Sequence, residues 1–130
     1  MNRLTVAKTL SLVLFIALSN CDQSERNVIT GVAPFYHLKT TFSEHDSSAT
    51  IAKVRDFADA HGIDFLVSRD GPMPGDFNAS ANGKDLNLEA LHVKGVGGGL
   101  DIFAVSRNQP TDESWRLTRE FTCRVAKICR

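Results

Sequence analysis

The N-terminal stretch of this 130-residue chain has the pattern of an export signal, which limits how much of the chain folds. Arg3 and Lys8 give it a positive start, and an apolar run at 10–18 is interrupted only by Ser11. That run is about nine residues long, far short of the ~20 that a membrane-spanning helix needs. Removing residues 1–20 leaves about 110 residues, a length that suits one globular domain.

The segment ends in Leu18-Ser19-Asn20-Cys21, which resembles the lipobox of bacterial lipoprotein precursors. Asn20 departs from the Gly, Ala or Ser usual in that family. The resemblance implies a signal peptide ending at Asn20 and lipid attachment at Cys21, through palmitate-like acyl chains. Two or three chains, at ~0.8 kcal/mol per buried methylene, would anchor the protein in the cell-envelope membrane, facing the periplasm. The alternative is cleavage after Ser19, which Ala17 and Ser19 also permit, giving a soluble secreted protein.

Charge is unevenly distributed along the remaining chain. Residues 21–113 carry eight basic and fourteen acidic side chains, whereas residues 114–130 carry five basic and one acidic. An acidic body is a poor electrostatic match to nucleic acid, so we expect no nucleic-acid partner. The basic end either faces anionic lipid headgroups beside the anchor or is ordinary helix surface, in which Arg116, Glu120 and Arg124 pair at i, i+4 spacing.

The first half of the folding region reads as a strand, a helix and a second strand. Residues 35–42 alternate as a strand does. A helix begins near Asp46 and runs to His61, and Gly62 supplies a left-handed cap. A second strand follows at 63–68. This spacing predicts a right-handed βαβ unit with its two strands parallel.

The second half begins with a long loop at 70–83, rich in turn residues. A half-buried strand is expected at 84–93, and a glycine-rich turn at 95–99 leads into an apolar strand at 100–106. After Pro110 the pattern predicts a final helix.

The order βαβββα predicts an α+β fold: a two-layer sandwich with a four-stranded mixed sheet and both helices on one side. We expect a single domain over 34–130, preceded by a tether at 21–33.

Strand parity leaves apolar residues on the sheet face away from the helices; they are Leu66, Leu91, Val93, Phe103 and Val105. Either the long loop covers this face with Met73 and Phe77, a bulge changes the parity, or a second copy or another protein packs there. Trp115 projects from the outer side of the last helix and is another potential contact. The candidate partner-binding residues are therefore Trp115, Phe103 and Val93.

Cys123 and Cys129 belong to a chain expected in an oxidising compartment, so a disulfide is favoured. Six residues of intact helix rise about 9 Å, beyond the ~7 Å Cα limit for a disulfide. Either the helix ends after about Val125 and the tail folds back, which lets the two cysteines pair, or each thiol pairs elsewhere.

Catalytic patterns are weak. The four histidines have none of the spacings that place two imidazoles on one metal ion, so we expect no metal or other cofactor. Arg69, Asp70 and His92 are candidate ligand contacts, with the 70–83 loop as a lid. A hydrolase using Asp70, Asp76 and His92 ranks last, because nothing pairs a nucleophile with a base.

These patterns favour a small membrane-anchored lipoprotein that is not an enzyme. Its domain would be a non-catalytic protein-interaction module in the cell envelope, contacting an envelope protein or its own copy. The alternative is a periplasmic small-ligand-binding domain that uses the 70–83 loop.

Overall fold

The computed structural model describes residues 29–129, which form one five-stranded antiparallel sheet and two α-helices. The strands are β1 (Tyr36–Thr40), β2 (Asp64–Ser68), β3 (Phe77–Asn82), β4 (Leu86–His92) and β5 (Leu100–Ser106), and the helices are α1 (Ser47–His61) and α2 (Asp112–Ala126). The strand order is β1-β5-β4-β3-β2. Among the described residues, neither helix is long and apolar enough to cross a membrane.

The helix boundaries follow from local chemistry. Gly62 has a φ of 63° and ends α1, with its N–H directed at the carbonyls of Ala58 and Asp59. At the start of α2, the Thr111 hydroxyl accepts from the Ser114 N–H, and the Ser114 hydroxyl accepts from the Thr111 N–H. This reciprocal cap satisfies two backbone donors that the first helical turn leaves open.

Both helices pack on one face of the sheet and form the core with it. Phe57 of α1 and Phe121 of α2 meet edge to face, 5.2 Å between ring centroids, and neither is exposed. Four alanines lie among the larger strand residues beneath the helices, and all four are fully buried: Ala79, Ala81, Ala90 and Ala104. Truncating a buried phenylalanine in such a core costs about 3–5 kcal/mol, so this contact is a main source of stability.

The sheet corrects the sequence-based prediction of a four-stranded mixed sheet. The additional strand is β3, which lies inside the segment expected to be a loop and pairs with β2 and β4. Its sequence, Phe-Asn-Ala-Ser-Ala-Asn, lacks β-branched residues, so propensity gave no strand signal. Pairing with two neighbours supplies the hydrogen bonds that make it a strand.

The prediction of a parallel βαβ unit is also wrong. β1 pairs antiparallel with β5, with Tyr36 opposite Ala104 and Thr40 opposite Leu100. β1 and β2 run in the same direction but occupy opposite edges of the sheet, with three strands between them. The β2–β3–β4–β5 meander fills the space where a direct β1–β2 pair was expected.

The C-terminal helix ends where the expected disulfide requires it to end. α2 stops at Ala126, and Lys127 takes a left-handed conformation with a φ of 60°. The chain then turns back, and Cys129 forms a disulfide with Cys123 at a Cα–Cα distance of 4.4 Å. Ile128 lies in this returning segment and is half-buried.

Candidate functional site on the open face of the sheet

The sheet face opposite the helices is the most chemically distinctive surface among the described residues. We call it the open face. Its residues alternate with those of the core along each strand, and they include Leu66, Asn78, Ser80, Asn82, Asn87, Glu89, Leu91, Phe103 and Val105. Aliphatic and aromatic side chains lie among uncharged amides here, with few charges, a composition suited to a binding surface.

The β1 side of the open face is organised around Phe103. Its ring stacks on that of His37, with the centroids 4.5 Å apart and the planes 7° from parallel. His37 Nε2 lies 2.7 Å from a carboxylate oxygen of Asp101, and Lys39 Nζ lies 3.7 Å from the other oxygen. Phe103 is half-buried, so one side of an oriented aromatic ring remains available to solvent.

A groove of about 410 Å³ occupies the other side of the open face. Its polar lining consists of Ser68, Asn78, Ser80, Asn82, Asn87 and Glu89, and its apolar lining of Ile29, Leu66, Val67 and Val105. Asn82 also donates to the Ser80 hydroxyl at 2.9 Å. Asparagine amides both donate and accept, so this lining can satisfy either kind of hydrogen-bonding group on a ligand.

Glu89 is the one carboxylate in the groove lining. It lies opposite Phe103 in the β4–β5 register, and its Oε1 accepts from the Asn78 amide at 2.7 Å. Burial raises the pKa of Glu89 above its ordinary value of 4.5, and the hydrogen bond from Asn78 partly opposes this rise. Partial burial therefore leaves a carboxylate whose charge a cationic group on a ligand would stabilise.

The three candidate partner-binding residues lie in different places. Phe103 is on the open face, and Val93 follows the end of β4 and is half-buried. Trp115 lies on α2, where it packs edge to face on Phe35 at 4.9 Å and on Tyr36 at 6.3 Å, and it remains 37% exposed. Phe103 is thus part of the open face, whereas Trp115 contacts the sheet's β1 edge.

The candidate ligand contacts Arg69, Asp70 and His92 do not meet around one cavity lined by described residues. Arg69 donates to the Ser48 hydroxyl at 3.2 Å, and the exposed Asp70 accepts from its neighbour Ser68. His92 is only 2% exposed on the helix-covered side, where Nδ1 bonds the Gly99 carbonyl at 3.0 Å. His92 is therefore placed to fix the glycine-rich turn.

The segment expected to act as a lid is held in place. Asp76, one of the hydrolase candidates, is 3% exposed and accepts from the backbone N–H groups of Met73 at 3.1 Å and Lys94 at 2.9 Å. Ser47 donates to the Gly75 carbonyl at 2.8 Å. Phe77 faces the helices next to Phe42, so neither it nor the preceding loop covers the open face.

Two of the three arginines of α2, Arg116 and Arg124, form ion pairs along the helix surface. Arg124 lies 3.2 Å from a carboxylate oxygen of Glu120, and Arg116 lies 4.0 Å from the other oxygen. Arg116 also donates to Glu113 at 2.8 Å through its Nε. Glu120 in addition contacts His61 of α1 at 2.8 Å. These ion pairs match the surface-pairing interpretation of the basic end.

The sequence interpretation named none of the polar groove residues as candidate site residues. Asn87 and Glu89 alternate with buried leucines, so the expected strand parity already placed them on the outer face. Asn78, Ser80 and Asn82 were assigned to a loop, although their own alternation with Ala79 and Ala81 is the signal that would have placed them on this face.

Cys21, the expected lipid-attachment residue, lies outside the described residues. Within residues 29–129, no three histidine, cysteine, aspartate or glutamate side chains come close enough to share a metal ion.

Comparison with known proteins gives no relative. The chain matches no protein-family model, and no characterised protein or solved structure is significantly similar to it.

Proposed function

We propose that this protein is a non-catalytic interaction module of the bacterial cell envelope, which binds an extended polypeptide segment of another envelope protein on its open face. The observation that carries this proposal is the combination of an oriented Phe103 ring with an adjacent amide-lined groove on one face of the sheet. Large apolar side chains left partly accessible together are typical of protein-binding surfaces.

The groove chemistry favours a polypeptide as the occupant. A peptide backbone presents alternating N–H and C=O groups, which the amide of Asn78 and the hydroxyl of Ser80, both half-buried, can match. Phe103 and Leu91 offer apolar contact for the side chains of the segment. The partly buried Glu89 favours a segment that carries a lysine or arginine, because an opposite charge stabilises the ionised carboxylate.

A binding role is favoured over catalysis by what lines the groove. Among the described lining residues, Glu89 is accompanied by amides and hydroxyls, with no imidazole, thiol or ammonium group beside it. Nucleophilic catalysis needs a base next to the nucleophile, and neither Ser68 nor Ser80 has a histidine or lysine within this lining.

Only the sequence supports the envelope location. The likeness of residues 18–21 to a lipobox supports a lipid anchor at Cys21. Ile29, which lines the groove, is eight positions further along the chain. A tether of that length spans at most about 28 Å at ~3.5 Å per residue. The open face would therefore stay close to the membrane and to other membrane-bound proteins.

The test is to purify the wild-type protein and the Phe103→Asp and Val93→Asp variants from bacterial membranes and to identify what co-purifies with each. We expect Phe103→Asp to remove a partner that the wild type retains, because a buried unpaired carboxylate is costly at an interface. Arg119→Asp, on the exposed side of α2, is the control and should retain it.

Circular dichroism and sedimentation complete this test. The Phe103→Asp variant should keep the wild-type spectrum, because the helix-covered core does not include this side chain. A loss of the fold would instead show that Phe103 is a core residue and would contradict the proposal. If sedimentation shows that the wild-type protein associates only with itself, the partner is a second copy of this chain and not another envelope protein.

A further inference from the structure

A second cavity, separate from the open face, lies where the end of β1, the first turns of α1 and the end of α2 meet. Its volume is about 510 Å³, within the range of cavities that hold small molecules. We call it the interhelical cleft. Phe42, Leu100 and Val125 supply apolar lining, and Thr41 and Ser43 supply hydroxyl groups. This combination suits a ligand that has both an apolar and a polar part.

Two lysines line the cleft. Lys53 projects from α1 and Lys127 from the residue after α2. Among the described residues, no carboxylate forms an ion pair with either ammonium group. Asp46 is the one acidic residue among the described residues of the lining. Two lysines against one aspartate give this described lining a positive balance, which favours an anionic ligand.

The backbone at Lys127 adds a second, independent observation. Lys127 has a φ of 60°, and it is the only described residue other than glycine with a positive φ. Glycine is the usual residue at this position after a helix, because a side chain adds a steric cost there. The disulfide between Cys123 and Cys129 closes the turn around Lys127. A residue held in a sparsely populated backbone conformation beside a cavity points to a functional position, and Lys127 lines this one.

We propose that the interhelical cleft binds a small amphipathic anion. The ammonium groups of Lys53 and Lys127 bind the anionic group, and the hydroxyls of Thr41 and Ser43 donate to it. The apolar part of the ligand packs on Phe42 and Leu100. A medium-chain carboxylate and the headgroup region of an anionic phospholipid share this chemistry. The cleft is a different cavity from the open-face groove, so the proposal does not depend on the proposed function.

The test is isothermal titration of decanoate, below its micelle concentration, into the complete mature chain with Cys21→Ser, which removes the acylated residue. We expect saturable one-to-one binding that Lys53→Gln and Lys127→Gly each weaken by about tenfold, a loss typical of one charge-assisted contact. Asp46→Asn should tighten binding, since it removes the one negative charge of the lining. Dihexanoyl-phosphatidylglycerol, titrated in parallel, shows whether a phospholipid headgroup is preferred to a carboxylate.

Lys127→Gly separates loss of binding from loss of fold. Glycine accepts the left-handed conformation without steric cost, so this variant should melt at the same or a higher temperature than the wild type while binding decanoate more weakly. Lys84→Gln, at the exposed β3–β4 turn, is the matched control and should bind as the wild type does.

Three results would overturn the proposal. The first is that neither decanoate nor dihexanoyl-phosphatidylglycerol binds. The second is equal decanoate affinity in the wild type, Lys53→Gln and Lys127→Gly. The third is that uncharged octyl glucoside binds as tightly as decanoate, because the lysines would then contribute nothing.

Discussion

At the scale of single residues, Glu89 shows how the open face departs from an ordinary solvated sheet surface. Burial raises its pKa although Asn78 donates to it. The folded protein therefore binds more protons than the unfolded chain just above pH 4.5, and stability falls as the pH rises through that window. At higher pH the partly buried, charged carboxylate lowers the stability of the folded protein, and a cationic group on a partner would offset this cost.

Glu89→Gln should therefore raise the melting temperature at pH 7, by about 2 °C, and the gain should shrink as the pH falls towards 4.5 and be absent below it. Glu113→Gln is a control in which the change in melting temperature at pH 7 should have the opposite sign. Arg116 holds the pKa of Glu113 below its ordinary value, so the wild-type carboxylate stabilises the fold above that pH and loses its effect in acid. Thermal denaturation between pH 3.5 and 7.5 measures both. Equal pH profiles for wild type and Glu89→Gln would show that Glu89 is fully solvated.

At the scale of secondary-structure elements, β3 decides both the sheet topology and the site. Its odd positions, Ala79 and Ala81, lie under the helices, and its even positions, including Ser80, lie in the groove. A strand composed mainly of alanine, serine and asparagine forms because it pairs on both sides, and because its alanines fit closely beneath the helices.

The faces of β3 can be tested by one pair of neighbouring substitutions. Ala81→Leu should destabilise the fold by about 1–3 kcal/mol, because the added carbons have no space beneath the helices. Ser80→Thr, one residue away on the open face, keeps the hydroxyl that accepts from Asn82 and should change the free energy of unfolding by less than about 0.5 kcal/mol. Urea denaturation monitored by circular dichroism measures both. If Ser80→Thr were the more damaging change, the faces of β3 would be assigned the wrong way round.

The helices and strands differ in how well the sequence predicts them. Periodicity and caps locate both helices, and alternation gives the correct faces of β1, β2, β4 and β5, which places Phe103 on the open face. β3 carries no strand propensity, and without it the partners of β1 and β2 could not be assigned correctly. Burial of Glu89 and the turn at Lys127 depend on contacts between distant segments, so no local pattern predicts them.

At the scale of the whole molecule, the two proposed sites lie on opposite sides of the sheet layer. The open face is the side away from the helices, and the interhelical cleft is bounded by α1 and α2. Changes at distant sites without shared contacts usually act independently. Phe103→Asp should therefore leave the decanoate affinity within about twofold of the wild type. A tenfold loss would show that the two surfaces are coupled.

The attachment of the molecule to the membrane has its own test. The intact mass of protein purified from bacterial membranes should correspond to a chain that begins at Cys21 and carries acyl chains. After reduction and alkylation, two labels should be added, at Cys123 and Cys129, which form the disulfide. A chain that begins at Asn20 without lipid would make the protein soluble and would contradict the anchored module.

The central claim is that the open face binds a polypeptide in the envelope, and crosslinking in living cells tests it most directly. A photoreactive phenylalanine analogue is placed at Leu91 on the open face and, as a control, at Arg119 on the exposed side of α2. The account predicts that illumination links position 91 to one defined envelope protein and leaves position 119 unlinked. Identical weak adducts from both positions, or none from position 91, would contradict it.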